Sequence, residues 1–347
     1  MKWIAMLLAM MTLALGGTAG AQDTPVVRVV THDSFAVSDA VLEAFEAESG
    51  YQVEILRAGD AGLLVNQSIL TRENPLGDVL FGVDNTFLTR ALDNDLFQPY
   101  ESPLRETIAP EFLDGLDDHV TPVDFGDVCL NYDARYFAEH DVALPETLGD
   151  LADPAYHGLL IVQNPASSSP GLAFLLATVA AFGEDGYLDY WQSLAANDVA
   201  IAEGWTDAYY GQFSGSAGST GTRPLVVSYA SSPAAEVYFA EAPVDTAPTG
   251  SIVAPGMCFR QVEYAGVLHG AANVEGAQAF IDFMLGEAFQ ADMPLNMFVY
   301  PVIEEFELPE VFVDYAPAAE EPAEMTPEAI GVLRDDLIES WAGVMLR

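Results

Sequence analysis

The chain has 347 residues, 51% of them hydrophobic, and a formal net charge of −42 with one lysine, Lys2. That length suits about two domains with a large core. The charge excludes a polyanion such as nucleic acid as partner, and a lysine-free body excludes a Walker-A phosphate loop or a Schiff-base enzyme.

The opening "MKWIAMLLAMMTLALGGTAGA" joins a positive start, an apolar run and small residues at Ala19 and Ala21, the pattern of a secretory signal peptide cleaved after Ala21. With no cysteine at that site, an exported, soluble, periplasmic protein is expected. No later run of 18 apolar residues predicts a membrane span.

Next, "PVVRVV" reads as a buried strand, Leu42 and Phe45 fall in a helix stopping at Gly50, and "YQVEIL" alternates as a second strand. A helix from Leu63 to Leu70, a strand at "DVLFGV" and a helix at "TFLTRALDNDLF" repeat the unit. Such alternation predicts an α/β fold with mainly parallel sheets, which bind ligands beyond the carboxyl ends of their strands. Those ends are "THDSF", "AGDAG" and "VDNT", and they carry His32, Asp33, Ser34, Asp60 and Asp84.

"VDFGDVCLNYD" and "CFRQVEYAGVL" read as strands that carry the chain between two halves, as a hinge would. The expected division is lobe 1 at 22–126 with 262–315, lobe 2 at 127–261, and a linker with a last helix at 316–347. In lobe 2, "GLLIVQ" leads into "NPASSSPGLAFLLATVAAFG". Here Ser169 suits an N-cap and Pro170 the first helical position. Leu172, Leu175, Leu176 and Val179 form a buried face, and Gly183 ends the helix. Ser167 and Ser168 lie beside its free N–H groups, where an anion is readily held, though plain capping explains them equally. "DVAIA" leads into "EGWTDAYYGQF" and "PLVVS" into "YASSPAAEVYF", with "SGSAGSTGTR" between them as a mobile, poorly ordered Gly/Ser-rich surface insertion rather than a lid. "EGAQAFIDFML", "AFQADM" and "NMFVYPV" complete the first half. In the final helix Thr326 caps, Pro327 opens, and Ile330, Leu333, Leu337 and Trp341 form a packing face.

Cys129 and Cys258 sit on the two crossing strands, and export to an oxidising compartment predicts their pairing. A bridge closing so long a loop stabilises by roughly 4 to 5 kcal/mol in the chain-entropy model. The pair is too small a set for zinc and the five histidines lack metal-motif spacing, so no metal or cofactor is expected. No G-x-S-x-G elbow, H-E-x-x-H or Gly-rich dinucleotide fingerprint is present. The loops carry Trp205, Tyr209, Tyr210, Tyr229 and Phe298 with small hydroxyl residues. Each ring serves equally as core; together with acids, they suit a flat cation.

"THDSF", "FGVDN", "NPASSSPGL", "EGWTDAY", "SYASSP" and "FVYPV", in this order, resemble the periplasmic thiamine-binding proteins that serve ABC importers. The resemblance runs from about Val26 to the last helix. It implies a two-lobed type II periplasmic-binding-protein fold with hinge-crossing strands, closing on thiamine or its phosphates, and a membrane permease as partner of a monomer. By position, Asp60 would face the aminopyrimidine, Trp205 and Tyr229 would supply aromatic contacts, Phe298 would replace a family Trp, and Ser168 would fall on the phosphate-side loop. The chain departs from the family in three places: His32 stands where a Tyr is usual, no Trp follows "DSF", and Ala235 replaces an aromatic. Two other readings stay open. One is a ferric-ion or polyamine binder of the same fold, with Tyr209 and Tyr210 as iron ligands. The other is a hydrolase using Ser228 or Ser168 with His32 as base.

Overall fold

The computed structural model describes residues 24–346 except 243, 245 and 305; the expected signal peptide lies outside them. The chain begins with β1 (Val26–Thr31), α1 (Asp39–Ser49) and β2 (Gln52–Arg57), continuing into α2 (Ala61–Leu70), β3 (Val79–Asp84), α3 (Leu88–Asp93) and the short β4 (Phe97–Gln98). Local chemistry sets these boundaries. Ser38 Oγ accepts from Val41 N–H to start α1, Gly50 closes it at φ 75°, and the Asp60 carboxylate caps α2 by accepting from Ala61 N–H.

The long β5 (Thr121–Asp133) leads through α4 (Ala134–Glu139) to β6 (Leu160–Gln163), α5 (Ser169–Ala196), β7 (Ala200–Ala202), β8 (Leu225–Tyr229), α6 (Ser232–Tyr238) and β9 (Thr249–Ile252). The chain returns along β10 (Phe259–Leu268) and ends with α7 (Val274–Met284), α8 (Glu287–Asn296), β11 (Tyr300–Pro301), α9 (Glu310–Tyr315) and α10 (Pro327–Met345).

Hydrogen bonding joins the strands into one sheet in the order β2-β1-β3-β10-β5-β8-β6-β7, with β4 on β10 and β9 and β11 on β5. The outer strands β2, β1, β3 and β8, β6, β7 run parallel within each set. The central pair β5 and β10 is antiparallel to its neighbours and spans both sets, as expected of crossing strands. Both ladders of β10 slip register at Glu263–Ala265, so the strand bulges where it passes from β5 to β3.

Cys129 on β5 is bonded to Cys258, the residue before β10, so the disulfide fastens the crossing pair. Three details differ from the sequence reading. Ser168 rather than Ser169 is the N-cap of α5, and its hydroxyl makes no capping bond. Gly183, at φ 74° and ψ 166°, kinks α5 instead of ending it, because Tyr187, Tyr190, Trp191 and Leu194 give the next turns their own buried face. The "SGSAGSTGTR" segment is packed: Ser214 Oγ donates to Asp133 Oδ2 (2.7 Å) and Ala217 N–H to Glu236 Oε2 (3.0 Å).

The C-terminal helix α10 lies across the molecule. Trp341 packs edge-on against Trp191 of α5, with ring centroids 5.6 Å apart, while the Arg334 guanidinium sits 4.6 Å from the Phe87 ring centre beside α3. Ile330, Leu337 and Trp341 are buried as the periodicity predicts, with Leu333 partly buried.

Candidate functional site

A cavity of about 380 Å³ opens where the carboxyl ends of the two strand sets face each other, within the size range of small-molecule sites. His32, Asp33, Ser34, Asp60, Trp205, Tyr209, Tyr229 and Phe298 all line it. So do Ser169 and Pro170 at the start of α5, and Ser231, Ser232 and Phe239 on and beside α6. Glu263 on the β10 bulge completes the floor. No lysine or arginine is among the lining residues.

The aromatic wall is tied to the acids by hydrogen bonds. Trp205 stacks on Tyr209 at 5.0 Å and 16°, and the Tyr229 ring stands 6.4 Å away at 63°. The Trp205 indole N–H donates to Ser228 Oγ (2.8 Å), which lies 2.9 Å from Ser232 Oγ. Its backbone N–H donates to Asp60 Oδ2 (3.0 Å). Asp60 therefore caps α2 with one oxygen and holds the opposite wall with the other. A second strut lies alongside: Gly62 N–H donates to Ser167 O (3.0 Å), and a Cβ on Gly62 would fall 2.7 Å from that oxygen, so only glycine permits the approach.

Phe298 adopts φ 56°, a left-handed conformation unusual for an aromatic residue, and is pinned by Ser231 Oγ donating to its carbonyl. Its ring meets Phe239 at 5.5 Å. Phe239 lies one helical turn beyond Ala235, and both border the cavity. An aromatic is thus restored beside the position where the sequence lacks one.

Three predicted residues lie outside the lining. Ser167 Oγ is spent on Glu203 O (2.6 Å), and Ser168 is fully buried. Asp84 lies beneath the floor, where Thr86 N–H (2.8 Å) and Gln261 Nε2 (2.6 Å) donate to it. Burial pushes its carboxyl up to about 6 against those hydrogen bonds. Gln261 also accepts from the Tyr229 hydroxyl (2.9 Å), linking the ring to the buried acid.

The sequence reading missed Glu263 and Asp124, which face each other across β10 and β5. Asp124 is fully buried and neither carboxylate oxygen has a hydrogen-bond partner. Burial, reinforced by Glu263, raises its pKa well above the ordinary carboxyl value. On the other side of Glu263, His32 Nε2 lies 3.3 Å from Oε1, within ion-pair range though off the hydrogen-bond line. Burial lowers the imidazole's proton affinity, but Glu263, with Asp60 and Asp84 farther off, outweighs it and the pKa is raised. His32 owes its seat to Gly82, at φ 93°, where a Cβ would fall 2.1 Å from His32 Cδ2.

The folded state thus holds protons on Asp84, Asp124 and His32 that the unfolded chain releases at lower pH, so stability falls as pH rises, from 3.8 upward for the two carboxyls and only above 6.5 for His32. For Asp84 the displacement from 3.8 to about 6 corresponds to about 3 kcal/mol, lost between roughly pH 4 and 6. Asp124→Asn keeps the shape and removes one titration. Its melting temperature should exceed wild type by a margin that widens from pH 5 to pH 8; a constant margin would show that Asp124 is ionised throughout.

The geometry does not assemble a serine hydrolase or a tyrosine iron site. The Ser228 hydroxyl is engaged by Trp205 and Ser232, and His32 is paired with Glu263, so no serine–histidine couple forms among the described residues. Tyr209 is 2% exposed beneath Trp205, and burial with Glu236 nearby pushes its phenol well above the ordinary value, against the phenolate an iron ligand needs.

A family model described as bacterial extracellular solute-binding protein matches residues 74–324, most of the chain. The chain belongs to that family. This solute-binding protein is 30% identical over 331 residues to the thiamine-binding periplasmic protein of Salmonella typhimurium, covering 93% of this chain and 94% of that one. Its identity to the Escherichia coli protein of the same name is 30% over 346 residues, with coverage of 99% and 100%. A solved periplasmic thiamin binding protein superposes with a TM-score of 0.81 at 28% identity, covering 94% of this chain and 98% of that structure. The solute-binding protein therefore has the mixed α/β fold of periplasmic binding proteins, with its cavity where opposed strand ends meet.

Proposed function

We propose that this protein binds thiamine outside the cytoplasm and delivers it to the membrane permease of an ABC importer, working as a monomer of two lobes hinged at β5 and β10. It binds and releases its ligand unchanged. The observation that carries the reading is the cavity lining: Trp205, Tyr229, Phe298 and Phe239 surround a floor bearing Asp60 and Glu263. Thiamine has two flat rings, one permanently cationic, and aromatic faces attract such a cation by roughly 0.5 to 2 kcal/mol each. Asp60 suits the donor groups of the aminopyrimidine. The thiamine-binding names of the relatives support the same ligand.

The lining also ranks the forms of the vitamin. Asp33, Asp60 and Glu263 face the cavity and no lysine or arginine does, so each added phosphate meets more repulsion than attraction. Calorimetric titration should give affinities in the order thiamine, monophosphate, diphosphate. Absence of heat with all three would refute the reading; the reverse order would show that the start of α5 receives a phosphate.

A further inference from the structure

We infer that Glu263 supplies the negative charge that meets the ligand's cationic ring, that it shares a buried proton network with Asp124 and His32, and that binding drives a proton off this network into solvent. The inference rests on the thiamine reading and assigns a coupling that the reading alone does not contain.

Two observations carry it independently. The first is the Asp124–Glu263 pair. The residues are cross-strand partners, and Asp124 is sealed from solvent with both oxygens lacking a donor. Two ionised carboxylates in that setting repel strongly, and a buried ionised carboxylate without a donor is costly. A proton held by Asp124 and directed at Glu263 removes both penalties, leaving one negative charge on the pair. That charge faces the cavity, because Glu263 lines it and Asp124 does not.

The second is the His32–Glu263 contact. The imidazole Nε2 is buried, lacks a hydrogen-bond partner and lies 3.3 Å from Glu263 Oε1. In the empty site a protonated His32 balances Glu263. The groups bearing on this network are Asp60 from the start of α2, Asp84 from the end of β3, Asp124 from β5 and Tyr229 from the end of β8. Arg260, three residues before Glu263 on β10, is held by both Asp127 oxygens and Ala319 O.

A quaternary cation brought against Glu263 takes over the balancing role of His32. Two positive charges then compete for one carboxylate, and only the imidazole can give its charge up. The proton leaves His32 Nε2 for the buffer, the bound cation replaces it, and the net charge of the site is conserved. Affinity must therefore rise with pH while His32 titrates, by no more than about tenfold per unit, the limit for a single linked proton. Asp84, whose carboxyl burial pushes up to about 6, lies in the same network, so the linked proton is assigned to His32 by the His32→Gln variant and not by the pH range.

The test is calorimetry of the mature protein with thiamine at pH 7 in phosphate and in Tris, whose ionisation enthalpies differ widely. The heats should differ by an amount equal to a fraction of one proton released per thiamine. In His32→Gln the two buffers should give equal heats and affinity should be flat from pH 6.5 to 8. Glu263→Gln should weaken thiamine at least tenfold and abolish the buffer difference. Should His32→Gln fold poorly, proton NMR of the wild-type imidazoles answers the same question: one histidine pKa should fall on adding thiamine. Thiamine binding with buffer-independent heat, or an unchanged buffer difference in His32→Gln, overturns the inference and leaves the thiamine reading standing. No heat in either buffer overturns both.

Discussion

Trp205→Ala should bind thiamine about 30-fold more weakly than wild type, a loss of about 2 kcal/mol, typical of a central aromatic in a binding site. The ring is stacked on Tyr209, faces Tyr229, and is locked by its indole bond to Ser228, so it is already set before a ligand arrives. Truncation removes a cation-facing surface and unlocks the neighbouring serines. Trp205→Phe retains the face but not the indole donor and should recover most of the affinity. Titration of both variants, with circular dichroism to confirm folding, checks the claim. An Ala variant within twofold of wild type would mean that the ligand sits elsewhere.

Opening the Cys129–Cys258 bond should produce the largest change in stability. The bond closes a loop between residues 129 apart in sequence, for which the chain-entropy model gives about 5 kcal/mol. Both sulfurs are fully buried, so Cys129→Ala with Cys258→Ala also leaves space in the core. The double variant should lose several kcal/mol in denaturant unfolding, and wild type should melt lower after prolonged incubation with a strong reductant. A double variant unchanged in midpoint would show that the crossing pair is held by its ladder alone.

The regular elements were legible because periodicity and punctuation agree. Thr326 caps the last helix, Gly50 ends the first, and the apolar runs at Val26–Thr31, Val79–Asp84 and Leu160–Gln163 are buried strands, whereas the Ser38 and Asp60 caps emerge only in the structure. The aromatic wall was legible through the resemblance. The Asp124–Glu263 pair was not, since it depends on the register of two strands remote in sequence, and in so acidic a chain neither carboxylate stands out. The one available signal was a glutamate inside the otherwise apolar "VEYAGVL". The resemblance places Ser168 on the phosphate-side loop, but the first turn of α5 directs Ser169 and Pro170 to the cavity instead. Phe239 is not legible from position 235 alone, because it reaches the cavity from one helical turn later.

The placement of α10 limits how the cavity can open. The helix is anchored on α5 through Trp341 and reaches α3 through Arg334 over Phe87 and through Arg90, 3.5 Å from Asp335. A wide splaying of the two strand sets would tear one of these anchorages. A twist about an axis running close to the helix would preserve both, so any opening of the cavity that keeps these contacts would be a narrow turnstile rotation rather than a gaping jaw.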